Sequence, residues 1–457
     1  MQDHDVRTEA AASALSERAR ELFAAEQARR IDRTPRSHAL YQRAVRSMPL
    51  GVASSFQVGT PYPIYLERGE GSRVWDVDGH EYVDFHNGFG SMIVGHAHPR
   101  VVEAIERAAR RGTHFAVTVE DTVTFAELLC QRFGLDQVRF TNSGTESTMD
   151  AVRLARAATG RAGLCKIDGS YHGHHDSAMF SGLGAPLSSD GHGVPMSAGV
   201  PAVLRDLTWV VPFNDAAAVD RLFAERAEEI ACLLIEPVMQ NIGIVLPRPG
   251  YLEALRRACD RHGVVLIYDE VKCGATIAAG GATERFGVQP DLVCLAKAIA
   301  GGLPAGAFGG RADLMDVITN GDSQQGTYNG NPLVAAAGVV VMRDILTPDA
   351  YDRLARLGTR LASGCQRVID DHGLPGHTVD LGAKGCVSWR PDPLGDYRDF
   401  LDTDDELFSA SWAWLVNHGI FMTPGNEEQW MISVQHDEGD IDRYVEAFAA
   451  FGAAITR

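Results

Sequence analysis

A chain of 457 residues with 45% hydrophobic and 22% charged side chains is long enough for two domains, or for one large α/β domain with satellites, and is neither disordered nor membrane-like. Its 42 Lys and Arg against 60 Asp and Glu leave a formal charge of −18, which opposes attraction to nucleic acid or to an anionic lipid surface. The eight scattered cysteines lack a C-x-x-C spacing and read as reduced core residues; with no apolar run of membrane-spanning length and no basic-then-apolar leader after Met-Gln-Asp-His-Asp, a cytoplasmic location is expected.

Residues 1 to about 48 carry apolar side chains at helical spacing (Leu15, Leu22, Phe23, then Leu40, Tyr41, Val45), interrupted near Pro35, and predict an arm of one or two helices packed on the body or on a second subunit. Gly71–Gly79 and His80–Phe85 alternate in polarity around an Asp-Gly turn and predict a β-hairpin. From about residue 100 to 335, helix-length segments alternate with short apolar runs at Gln137–Thr141, Leu164–Ile167, Cys232–Ile235, Val264–Tyr268 and Leu292–Leu295. Continuous apolar strands separated by helices mean a mainly parallel sheet covered on both faces, the α/β class. A helix is expected over Leu333–Ile345, followed by a smaller α+β unit with strands near Ser388–Arg390 and Met431–Val434. The division is therefore 1–90 for arm and hairpin, 91–335 for the large domain and 336–457 for the small one.

Two strand ends carry the chemistry. The run Val264–Tyr268 ends in Asp269-Glu270-Val271, and in open α/β sheets the carboxyl ends of strands line the ligand crevice. The next run delivers Lys297, an amine at the end of apolar residues facing a glycine turn. A desolvated lysine loses its proton readily and can attack an aldehyde. A buried carboxylate beside a pyridine nitrogen keeps that nitrogen protonated, which makes pyridoxal phosphate an electron sink. Thr141-Asn-Ser-Gly-Thr-Glu146 follows a strand and opens a helix, offering backbone N–H groups to a phosphate, although it lacks the P-loop spacing. Gly169-Ser-Tyr-His-Gly-His-His-Asp176 places Tyr171 on the same rim, where it can stack on a flat ring; its histidines supply no clear ligand set, and no metal site is expected. Gln325–Pro332 is a glycine-rich loop with a hydroxyl.

With Ser143-Gly-Thr-Glu146, Tyr171-His-Gly173, Glu236-Pro-Val-Met-Gln-Asn241, Asp269-Glu-Val271, Lys297 and Gly326-Thr327 in this order, the chain from about residue 45 onward resembles the class III aminotransferases of fold type I. Within them it most resembles the glutamate-1-semialdehyde aminomutase-like subgroup, through Gly95-His-Ala-His-Pro99, Tyr171-His-Gly-His174, Gly280-Gly-Ala282 and Gly287–Leu292. The resemblance implies pyridoxal phosphate as cofactor, with Lys297 as its Schiff-base residue and proton shuttle, and Asp269 on the pyridine nitrogen. It further implies that Tyr171 and Val271 sandwich the ring, that Ser143, Gly144 and Thr145 bind the phosphate with Thr327 reaching in from a partner subunit, and that Asn241 lies near the phenolic oxygen. His172 and Glu236 belong to the same cofactor-binding set, and a homodimer with shared active sites is implied.

One departure bears on the substrate. Many relatives carry an arginine after a Gly-Val-x-Ser segment, paired with the substrate carboxylate; here the segment is Gly51-Val-Ala-Ser-Ser-Phe-Gln57, and Gln57 cannot neutralise a carboxylate. Glu428, at an acidic position of the subgroup, is expected to disfavour an anion further. The sequence thus predicts a biosynthetic transaminase with an amino donor and an uncharged or weakly anionic carbonyl acceptor. An intramolecular aminomutase or a racemase would keep every cofactor residue, and a non-catalytic nucleotide-binding α/β protein would use the Ser-Gly-Thr turn differently; a coloured protein excludes the last.

Overall fold

The computed structural model describes residues 2–321 and 323–457, with side chains from residue 14 onward; Met1, at the start of the segment read for a leader, lies outside the described residues. The arm forms two helices, Gln2–Arg33 and Pro35–Ala44, with Pro35 opening the second. The first lies along the C-terminal helix Asp405–Asn417, where Asn417 donates to the backbone oxygen and carboxylate of Glu26 at 2.8 and 2.6 Å. The arm therefore packs on its own body.

Three strands follow, β1 (Leu66–Glu70), β2 (Arg73–Asp76) and β3 (Glu81–Asp84); β2 and β3 are the expected antiparallel hairpin. The large sheet takes its strands from β4 (Gln137–Thr141), β5 (Gly163–Ile167), β6 (Thr208–Val211), β7 (Ile230–Ile235), β8 (Val265–Asp269), β9 (Leu292–Ala296) and β10 (Gly306–Gly310), in the order β4-β10-β9-β8-β7-β5-β6. Strands β5 to β9 pair in parallel, while β10 runs antiparallel to both β9 and β4. Every residue of β5, β7, β8 and β9 is buried, as continuous apolar strands between helical layers require. Strands β6 and β10 were not anticipated from sequence.

The C-terminal segment adds β11 (His377–Leu381), β12 (Lys384–Ser388), β13 (Ile420–Phe421) and β14 (Trp430–Met431). The expected strand at Ser388–Arg390 is displaced, since β12 ends at Ser388, and that at Met431–Val434 shrinks to its first residue. Beyond Met431 the backbone bonds leave the strand: Ile432 donates to Ala383 and Val434 to Ile93. Strand β13 joins β3 in parallel, so the N-terminal hairpin and the C-terminal segment share one sheet. The expected helix Leu333–Ile345 is an α-helix over Pro332–Val340 that widens into π-type turns over Val341–Ile345. All eight cysteines are free thiols and seven are fully buried. Among the described residues, no helix is long and apolar enough to cross a membrane.

Candidate active site

Five strand ends converge at the carboxyl edge of the large sheet, where such folds bind ligands. Strand β8 ends in Asp269, β9 leads into Lys297, β7 into Glu236, β5 into Tyr171 and His172, and β4 into Ser143. All of these residues line one cavity of about 380 Å³.

Asp269 is fixed from two sides. One oxygen accepts from the Val271 N–H at 3.0 Å and the other lies 2.8 Å from His172 Nδ1. With Nδ1 donating, the buried Nε2 of His172 is left without a partner. Lys297 takes a left-handed φ of +49°, a strained conformation for a residue with a Cβ and one that proteins keep mainly at functional positions. Its Nζ makes no hydrogen bond or ion pair among the described residues. Burial lowers its pKa, and the charge of Lys272 lowers it further, against the opposing pull of Asp269, Glu428 and Glu236.

The helix Gly144–Thr159 begins with Ser143 as its cap, the hydroxyl accepting from the Glu146 N–H at 3.2 Å. The N–H groups of Gly144 and Thr145 have no acceptor within the helix and stand at its positive end. A Cβ at Gly144 would lie 2.7 Å from Val271 Cγ1, so glycine lets the helix start close onto the floor of the cavity. Glu236 organises the opposite side. One oxygen accepts from the Tyr171 N–H at 3.0 Å, and the other from the Gln240 N–H and Asn241 Nδ2, both at 2.9 Å.

Glu428 lines the cavity, and its charge is paired there with a lysine. Both of its oxygens lie 2.9 Å from Lys272 Nζ, which also donates to the Gln240 carbonyl at 2.5 Å and to Asn241 Oδ1 at 3.2 Å. Lys272 was missed in the sequence, although it directly follows Val271 in the strand-end motif. A further buried amine, Lys384, donates to Gln240 Oε1 at 2.9 Å and to the Lys272 carbonyl at 2.8 Å; burial, then Lys272 and Lys297, lower its pKa well below the usual lysine value. Nothing in the sequence around Lys384 marks it for this site.

Gln57 sits at the cavity mouth, in a turn where its Oε1 accepts from the Ala53 N–H at 3.2 Å. The adjacent Phe56 meets Tyr171 edge-on, ring centroids 5.4 Å apart. Thr327 is exposed and stands outside the cavity of its own chain, the one expected cofactor residue not gathered there.

The donor set fits pyridoxal phosphate: a partnerless amine for an aldehyde, a doubly anchored carboxylate for a protonated ring nitrogen, and free helix N–H groups for a phosphate. A model of the class III aminotransferases matches residues 55–383. Glutamate-1-semialdehyde 2,1-aminomutase 2 of Brevibacillus brevis is 39% identical over 420 residues, covering 90% of this chain and 97% of that protein. An omega-transaminase from Sphaerobacter thermophilus superposes with a TM-score of 0.88 at 37% identity, covering 92% of this chain and 97% of its own. A glutamate-1-semialdehyde aminomutase from Pseudomonas aeruginosa PAO1, in complex with PMP, superposes with a TM-score of 0.88 at 28% identity, covering 96% and 99%. By sequence and by fold, this chain belongs to the class III aminotransferases, enzymes of fold type I that depend on pyridoxal phosphate.

Proposed function

We propose that the chain transfers an amino group from an amino donor to a separate carbonyl acceptor, and that no carboxylate is clamped beside the reacting carbon. The observation that carries this is the cavity wall: Gln57 stands at its mouth, and among the described residues no arginine lines it. The two lysines that do are committed, Lys272 to Glu428 and Lys297 to the chemistry.

Pyridoxal phosphate, when bound, supplies an aldehyde for the amine and a protonated ring that draws electrons from the neighbouring carbon. In this proposal Asp269 holds the ring-nitrogen proton, and His172 fixes the orientation of that carboxylate. Gly144 and Thr145 bind the phosphate through their N–H groups, with Ser143 shaping the turn and Thr327 of a second subunit closing it in a homodimer. Tyr171 and Val271 cover the two ring faces, and Asn241, steered by Glu236, approaches the phenolic oxygen. Nζ of Lys297, whose hold on its proton burial loosens, takes the proton from the substrate carbon that bears the amino group. The division at residues 90 and 335 into arm, large and small domains belongs to the same proposal.

The similarity to aminomutases favours a second reading, intramolecular transfer, over the intermolecular one. The half-reaction separates them. The cofactor-loaded protein is mixed with neutral amines, α-amino acids and glutamate-1-semialdehyde, and the visible band and released carbonyl products are followed. Loss of the band with stoichiometric product from neutral amines supports intermolecular transfer. Efficient isomerisation of glutamate-1-semialdehyde with no reaction of neutral amines overturns it.

A further inference from the structure

A second chamber, also of about 380 Å³, adjoins the active site and shares Phe56, Gln57 and Phe89 with it. Phe56 and Phe89 form the partition, their rings meeting at 64° with centroids 6.1 Å apart. Beyond them the wall is apolar, built from Tyr62, Ile64, Trp412, Val416, Phe421 and Met422. One cation faces this space. Arg30, from the arm helix, is only 3% exposed, yet its Nε and Nη2 are buried without partners and its guanidinium makes no hydrogen bond or ion pair among the described residues. Its guanidinium lies over the face of Trp412, 4.7 Å from the ring centroid.

Nearby acids do not explain it. Glu26, one turn earlier, is taken by Arg29 at 3.6 Å and by Asn417 at 2.6 Å. Among the described residues no Asp or Glu lines the chamber. Tyr62 spends its hydroxyl on Thr34, and burial lowers the pKa of His86, the other basic side chain in the wall. Desolvation lowers the pKa of Arg30 to about 10, which still leaves it charged at neutral pH. A buried, unpaired guanidinium with its donors free is strongly unfavourable unless something anionic completes it. Arginine's planar fork suits a carboxylate.

We infer that Arg30 is an anion-binding residue of the substrate site, and that the preferred substrate is an amphiphilic amino carboxylate. Its amino end lies at Lys297, its apolar chain passes Phe56 and Phe89, and its remote carboxylate meets Arg30. This rests on the amino-transfer reading above, and names the substrate class for it. The absence of an arginine at position 57 then displaces the carboxylate from the reacting carbon to the far end of the molecule.

The test uses octanoate and octanamide, which lack an amine, so binding is read without catalysis. Calorimetry on the cofactor-loaded protein is expected to show octanoate binding at least ~10-fold more tightly than octanamide, as a charge-assisted fork requires. Arg30→Met should level the two by weakening octanoate alone, and Arg30→Lys should restore part of the preference. A guanidinium with a merely structural role would instead leave the wild type indifferent to the charge, and that result overturns the inference, as does a preference that survives in Arg30→Met. Should Arg30→Met fail to fold, Met422→Trp keeps Arg30 and fills the chamber; octanoate must then no longer bind, and undiminished binding refutes the proposal. If the amine panel fails while octanoate follows this pattern, the reaction reading falls and the role of Arg30 stands.

Discussion

Replacing Lys272 by methionine keeps an unbranched side chain one atom shorter and removes its charge, leaving Glu428 buried without a counter-ion. In the native site Nζ lies 2.9 Å from both carboxylate oxygens, with the two side chains only 6% and 9% exposed. At that distance the attraction is about 6 kcal/mol for an effective dielectric of about 20, largely offset by the desolvation of both ions. Breaking one side of such a pair forfeits the attraction and retains the desolvation, so Lys272→Met should cost ~3–5 kcal/mol. Lys272→Met with Glu428→Met removes both charges, and the Gln240 carbonyl keeps the amide of Gln429 at 2.8 Å; its cost should be smaller than that of the single variant by ~2 kcal/mol or more. Urea unfolding followed by tryptophan fluorescence measures both, and Trp430, 1% exposed, is one of the reporters. Loss of Lys272 also removes a charge that lowers the Lys297 pKa, so the acidic limb of the half-reaction's pH profile should move upward in Lys272→Met. A single variant within about 1 kcal/mol of wild type, or a double variant as unstable as the single, would refute the reasoning.

Three other outcomes follow from particular contacts. Gly144→Ala sets a Cβ 2.7 Å from Val271 Cγ1, and the resulting overpacking should weaken cofactor binding ~10-fold or more in equilibrium titrations. Glu270 is fully buried and burial pushes its pKa from 4.5 to about 8, with the Ala282 N–H at 2.7 Å as partial compensation. Between those values the native state holds the proton that the unfolded chain has released, so this contribution to stability is complete below about pH 4.5 and fades as pH rises through about 8. Glu270→Gln should flatten the decline, and unfolding midpoints measured from pH 5 to 9 check it; a parallel decline in both proteins contradicts the assignment. Gln57→Arg should raise kcat/KM for α-amino carboxylates ~10- to 100-fold, the worth of a charge-assisted fork, and steady-state kinetics decides the matter.

Much of the site was legible because each chemical residue ends an apolar run. Gln137–Thr141 matches β4 residue for residue, and the acid and amine that close β8 and β9 face one cavity as their positions imply. Strand β10 was hidden for a physical reason. Gly306-Ala-Phe-Gly-Gly310 reads as a turn, yet a Cβ at Gly309 or Gly310 would fall 2.3 Å from the Gln137 carbonyl or 2.0 Å from that of Asp291, so close strand packing demands the residues that disguise it. The pairing of Glu428 with Lys272 joins residues 156 apart in sequence, and no local pattern announces it. Arg30 was equally silent: it lies on a helix rich in solvated charges, and only the packed structure shows that its guanidinium is the one turned inward over Trp412.

The central claim is that the amino group passes between two molecules at Lys297. A ¹⁵N-labelled neutral amine, an unlabelled carbonyl acceptor and the cofactor-loaded enzyme, followed by mass spectrometry of the products, test it directly. ¹⁵N is expected on the carbon skeleton of the acceptor and an unlabelled carbonyl compound from the donor, with neither formed by Lys297→Ala. Label that never leaves the skeleton on which it arrived, with glutamate-1-semialdehyde isomerised under the same conditions, would contradict it.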